Sequence, residues 1–229
     1  MRAPVVCWMQ EARSPVLIAD EVDFRFGAPD LLAAHVRDLR QRIDDDIKPV
    51  QQLDQLALLE QIRHGSMTRI QIEGLTSMRW QDYERRVLDQ LLEDGLIIFD
   101  EVEERWSVGR SLSVPYTELV AVEMKLRDGR RALAQAMRYR AFANESLVAL
   151  PQNRIDSLLV DACASRGVGL LAVGAARAEV VVNAVASAPL DPLVHRLAQE
   201  MLLARHCGHT TSLPAGSPRG HSHPDVVLA

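Results

Sequence analysis

Residues 117–125, TELVAVEMK, constrain this chain more than any other stretch. The apolar body suits a buried strand, and it ends in a carboxylate and an ammonium. Residues i and i+2 of a strand point to the same face. Glu123 and Lys125 therefore stand side by side where a buried strand runs out into a cleft. A D/E-x-K tripeptide is common in any charged protein, so its weight comes from its surroundings.

Upstream, residues 4–13 read as a short helix and 15–22 as a buried strand. Residues 24–34 read as a second strand, bent at Gly27 and Pro29. Strands tolerate proline only at edges, first positions or bulges. The bend is therefore expected to expose its neighbouring carboxylate, Asp30. Downstream of Lys125 the pattern predicts a helix over 130–143 that carries Gln135, a strand over 146–150 and a helix over 155–165. Strands over 168–173 and 179–185 and a helix over 191–206 complete it.

Between Asp30 and Glu123 the pattern is different. DLRQRIDDDIKPVQQ reads as a helix running into a linker. Helices follow over 51–64, around 68–75 and over 79–93, with Gly65 and Gly95 as stops. Val87, Leu88, Leu91 and Leu92 are expected on one face of the third. Residues 96–99 and 105–108 then read as a hairpin, with Trp106 packing it. Three helices followed by a hairpin is the order of a winged helix. The tail from residue 213, rich in Gly, Pro, Ser and His, reads as disordered.

The order helix, strand, strand with Pro-Asp, strand with Glu-x-Lys, helix with Gln, strand resembles the αβββαβ core of the PD-(D/E)xK nuclease superfamily. The resemblance covers about residues 4–35 and 115–175. It implies an α/β fold with a restriction-endonuclease-like core in two pieces, 1–45 and 113–212. A winged-helix-like insert over 46–112 separates them, and a tail occupies 213–229. It also implies a Mg²⁺- or Mn²⁺-dependent nuclease. Asp30, Glu123, Lys125 and Gln135 would be catalytic, with Asp30 and Glu123 as metal ligands. Glu11 of the first helix, or its rival Glu21, would supply a further acidic ligand. The chain departs from the family in one respect: the Pro-Asp and Glu-x-Lys strands are usually joined by a short hairpin, whereas here the whole insert lies between them.

These residue types suit phosphodiester cleavage. Hard oxygen ligands bind Mg²⁺ and leave positions for water and phosphate. A bound metal activates water and stabilises the charged transition state. Lys125 would orient that water or neutralise the phosphate, and Gln135 would hold the water or the backbone. The alternatives are a catalytically silent nuclease fold that serves as a binding module, and a winged-helix regulator that its second domain only assembles.

Charge speaks to partners. The formal net charge is −5, so no global basic surplus advertises nucleic acid. Basic residues are almost all arginine, Lys48 and Lys125 being the only lysines. Arg127, Arg130, Arg131, Arg138 and Arg140 flank the Glu-x-Lys strand and its helix, a pattern suited to bidentate phosphate contacts. On the insert, Arg79, Arg85 and Arg86 would face DNA. The wing residues Asp100, Glu101, Glu103 and Glu104 would repel it. DNA is thus expected at the site; at the insert, protein contact, a second copy included, and DNA contact through Arg79 and Arg86 both stay open.

No apolar run suits a membrane helix, so no membrane partner is expected. The N-terminal stretch, broken by Glu11, Arg13 and Asp20, does not read as a signal peptide. Cys7, Cys163 and Cys207 have neither zinc nor disulfide spacing, and His206-Cys207-Gly208-His209 lacks a second ligand pair. The expectation is a reduced, cytoplasmic protein.

Overall fold

A six-stranded mixed sheet organises the chain. Its order is β1-β2-β6-β7-β8-β9. The strands are β1 (Val16–Asp20), β2 (Leu31–Val36), β6 (Tyr116–Met124), β7 (Glu145–Pro151), β8 (Gly169–Val173) and β9 (Ala178–Val182). The computed structural model describes residues 1–13, 16–22, 27–36, 47–110, 112 and 116–207. The expected strand start at 24–26, most of the polar stretch after β2 and the tail from 213 lie outside the described residues.

β1, β2 and β6 pair antiparallel, β6, β7 and β8 parallel, and β8 and β9 antiparallel. Helical crossovers join the parallel strands, as parallel pairing demands. These are α6 (Gly129–Tyr139) from β6 to β7 and α7 (Ser157–Arg166) from β7 to β8. Side-chain alternation along β7 divides the core. Leu147 and Ala149 pack with Val5 and Met9 of α1 (Arg2–Arg13) on one face. Val148 and Leu150 pack with Ala132, Leu133, Leu159 and Cys163 of α6 and α7 on the other.

Local chemistry explains the helix ends. The Asp128 side chain accepts the Arg131 N–H and starts α6. Asp156 does the same for α7 through Leu159, and Gly167, in the left-handed region at φ 67°, ends it. The C-terminal helix α8 (Pro192–His206) has Pro at its start and Asp191 as cap. Among the described residues no helix is long and apolar enough to cross a membrane.

The insert leaves the sheet between β2 and β6. It consists of α2 (Leu53–Ile62), β3 (Met67–Thr68), α3 (Arg69–Glu73), α4 (Trp80–Tyr83), a π-helical turn (Glu84–Leu88), α5 (Asp89–Glu93), β4 (Ile97–Asp100) and β5 (Arg105–Val108). Its strands form a small antiparallel sheet of order β3-β5-β4. Thr68 and Gln71 start α3 with a reciprocal capping box. Trp106 is buried between Trp80 and Phe99, with ring centroids 5.8 and 4.5 Å away.

Two expectations are corrected here. Leu92, expected on the buried face of the third helix, stays 37% exposed. Val87, Leu88 and Leu91 fill that face, and Leu92 lies one step further round the helix. The C-terminal helix, placed by sequence with the core alone, serves two units. Val194, Ala198, Leu202 and Leu203 pack on the large sheet, while Leu193, Leu197 and Met201 complete the core of the insert.

Candidate functional site

The β2–β6 pairing builds the site. Along β6, Val120 and Val122 face α1, whereas Leu119 and Ala121 face α6 and α8. Alternation therefore turns Glu123 toward α6. The Lys125 N–H donates to the Ala149 carbonyl at 3.1 Å, so the backbone stays strand-like one step past β6. Lys125 accordingly emerges on the face of Glu123. Leu31 pairs with Val122, and one step further the register sets Asp30 opposite Glu123. The long insert does not disturb this, because it leaves from the far end of both strands.

Asp30 sits in a bend just before β2, half-buried beside buried Pro29. Its Oδ2 accepts the Met124 N–H at 2.6 Å. That contact ties the Pro-Asp bend to the middle of Glu-Met-Lys.

Glu123 is 1% exposed. Its Oε1 lies 2.5 Å from Lys125 Nζ, and its Oε2 accepts from the Tyr139 hydroxyl. A buried carboxylate is tolerated only when paired and hydrogen-bonded, and here both oxygens are engaged. Tyr139 OH also lies 3.2 Å from the Ala28 carbonyl. One phenol thus spans the carboxylate of β6 and the bend that carries Asp30. Gly27 makes the approach possible. It sits at φ 123°, and a Cβ there would stand 3.3 Å from Tyr139 Cε1.

The Tyr139 phenol is held well above its ordinary value. Burial contributes most, then the hydrogen bond to Glu123 and the charges of Glu123 and Asp30, with Arg138 opposing. The hydroxyl remains a donor at neutral pH. One helical turn earlier lies Gln135, whose Oε1 is buried and has no hydrogen-bond partner among the described residues.

Asp30, Glu123 and Lys125 thus come together, with Gln135 one turn from the tyrosine that grips Glu123. Glu21 stands on the neighbouring strand at the level of Asp30. Its N–H donates to the Asp30 carbonyl at 3.3 Å, but at φ 43° its side chain is exposed. Glu11 does not join the site. Two residues later Arg13 pairs with Glu145, the first residue of β7, and its carbonyl meets His35 near the end of β2. Both mark the end of the sheet remote from Asp30, and α1 covers the face opposite Glu123.

Arg127, Arg130, Arg131 and Arg138 are exposed between β6 and α6 and along α6, with no ion pair among the described residues. Arg140 is different: its guanidinium bonds the Arg166 carbonyl and Ser187, a structural role. On the insert, Arg79 and Arg86 are exposed, and Arg85 pairs with Asp82. Asp100, Glu101, Glu103 and Glu104 are all exposed at the turn of the β4–β5 hairpin.

Tyr139 is the participant that sequence reasoning missed. Its signal was available: it lies four positions after Gln135 on an amphipathic helix, and a buried tyrosine needs a partner for its hydroxyl.

Among the described residues no three His, Cys, Asp or Glu side chains gather as a metal cluster. The two converging carboxylates are hard oxygen donors nonetheless, and Mg²⁺ commonly takes one or two carboxylates and keeps several waters. Such carboxylate donors fit a hard divalent cation.

No family model matches the chain, and no curated protein does. Among solved structures, a protein of unknown function from Silicibacter pomeroyi is similar to it at 22% identity and a TM-score of 0.31. The match covers 52% of this chain and 79% of that one. A likeness that slight carries no argument.

Proposed function

We propose that this chain is a Mg²⁺- or Mn²⁺-dependent nuclease of the PD-(D/E)xK type, acting as an endonuclease on DNA. One observation carries the reading. The Asp30 carboxylate and the Met124 amide, 94 positions apart, bond at 2.6 Å, which sets Asp30 beside Glu123 and Lys125. The element order around them, α1-β1-β2-β6-α6-β7, supports a restriction-endonuclease-like core.

In this reading Asp30 and Glu123 hold the cation. When bound, it supplies Lewis-acid stabilisation of phosphate charge and acidifies a water. The chain's own groups do the rest. Lys125 neutralises the phosphate beside Glu123. Tyr139 fixes the rotamer of Glu123, and Gln135 offers its carbonyl to the attacking water. Arg127, Arg131 and Arg138 hold flanking phosphates by forked hydrogen bonds. The insert, with its acidic wing, serves protein contact, a second copy included, rather than DNA.

A second reading has its own observation. Both Glu123 oxygens already have partners, as they would in a silent member that retains the fold for binding. Cleavage separates the two. Plasmid and labelled oligonucleotides are incubated with Mg²⁺ or Mn²⁺ and wild type, Asp30→Ala or Lys125→Ala protein. Cutting by wild type and by neither folded variant supports the nuclease. No cutting under either metal, or equal cutting by the variants, removes it.

A further inference from the structure

The two oxygens of Glu123 are held by partners of unequal freedom. Oε2 accepts from Tyr139, a residue 1% exposed whose hydroxyl also meets the Ala28 carbonyl. Turning that phenol away would disrupt packing and strand a buried hydroxyl. Oε1 is held by Lys125, whose side chain is 31% exposed and whose Nζ lies 2.5 Å away. Lys125 follows the last residue of β6, and its backbone is fixed by the Ala149 carbonyl. Its four-carbon stem can therefore swing toward water without disturbing the sheet. Of the two partners, the ammonium is the one that leaves at low cost.

Asp30 is held on one oxygen only for this purpose of comparison: Oδ2 accepts the Met124 N–H, and Oδ1 is not spent on that bond. A cation shared by Asp30 and Glu123 would meet Glu123 at Oε1, where the ammonium already sits. Two positive groups on one carboxylate oxygen repel, and at 1% exposure water does little to screen them. The residue type agrees with an exchangeable contact. Lys48 and Lys125 are the only lysines in a chain whose basic residues are otherwise arginine. A guanidinium would grip the carboxylate with a fork of hydrogen bonds, whereas an ammonium is a point charge on a flexible stem.

We propose that Lys125 is a displaceable latch on Glu123. Its ammonium competes with a hard divalent cation for Oε1, and once displaced it becomes the group that meets phosphate. The inference rests on the cation-binding part of the nuclease reading and gives that site an order: cation, then release of Lys125, then phosphate.

The test measures Mn²⁺ binding to the full chain through the electron paramagnetic resonance signal of the free ion. Wild type, Lys125→Met and the double variant Asp30→Asn/Lys125→Met are compared at one ionic strength. Methionine keeps an unbranched stem without the charge. Removing one positive charge from beside the cation should tighten Mn²⁺ binding about ten-fold or more. Asp30→Asn in the same chain should abolish that gain. A second measurement needs no substitution, and it decides the matter if melting curves show Lys125→Met unfolded. With only two lysines, acetylation by an N-hydroxysuccinimide ester, read by mass spectrometry, reports each one. Mn²⁺ should speed acetylation of Lys125 and leave Lys48, paired with Asp94, unchanged. Mn²⁺ affinity in folded Lys125→Met equal to or weaker than wild type overturns the latch, as does Lys125 acetylation indifferent to saturating Mn²⁺; DNA cleavage by wild type would still uphold the nuclease. Tighter, Asp30-dependent Mn²⁺ binding in Lys125→Met upholds the latch even where wild type cuts no DNA, an outcome that removes only the nuclease.

Discussion

Replacing Tyr139 by phenylalanine removes one oxygen and nothing else from the site. The ring keeps its packing against Phe142 and Gly27. Glu123 loses the donor to Oε2 at 1% exposure, where water has little access. A hydrogen bond to a charged group contributes about 1.5–3 kcal/mol. Lys125 remains on Oε1, so the loss stays below the 3–5 kcal/mol typical of breaking a buried ion pair. The expected cost is therefore about 2 kcal/mol, or more than ten-fold in the folding equilibrium. Urea unfolding should show a lower midpoint with an unchanged slope. A pH signature belongs to the same bond. The folded phenol titrates above the ordinary 10.0, so above that pH the unfolded chain has lost a proton that the native chain retains. Stability then falls as pH rises. Tyr139→Phe should blunt this alkaline decline, and Tyr83, also raised, should keep part of it. If the nuclease reading holds, kcat falls in the variant as the Glu123 rotamer loosens, with KM nearly unchanged. An unchanged urea midpoint together with an unchanged alkaline slope would refute the assignment of Tyr139 as the residue that holds Glu123.

Gly129→Ala would place a Cβ 2.7 Å from Leu159 Cδ2 and 3.1 Å from Leu150 Cδ1. This overpacking where α6 meets α7 should cost about 1–3 kcal/mol in a urea titration; a neutral effect would mean the leucines yield freely. His195 is held below the ordinary 6.5 by burial first and by Arg196. As pH falls below 6.5 the unfolded chain gains a proton before the native one, so stability should drop, and His195→Gln should flatten that acid arm of thermal unfolding. Leu197→Ala deletes a buried side chain that the insert borrows from α8. A cost of about 2–5 kcal/mol is expected, read by circular dichroism as one shifted transition; a separate early melt of the insert would show that the units unfold independently.

Much of the chain was readable from local pattern. The helix of the Gln135 segment, the insert with its hairpin and the strands of the parallel half follow from periodicity, caps and glycine stops, all properties of neighbours in sequence. The sequence also marked Asp30 at its proline bend and the Glu123–Lys125 pair at its strand end. It could not say that Asp30 and Glu123 meet, because strand register across an intervening unit depends on which edges pair, and no local signal encodes that. The rest was decided likewise at a distance. Glu11 fell to the wrong end and face of the sheet because α1 is anchored through Arg13 to the start of β7. Tyr139 entered the site because a buried carboxylate requires donors and its hydroxyl was within reach. The C-terminal helix became common to both units because its two apolar stripes each found a surface to bury. Local sequence specified the elements and the candidate chemistry, whereas burial and long-range pairing chose which candidates share one site.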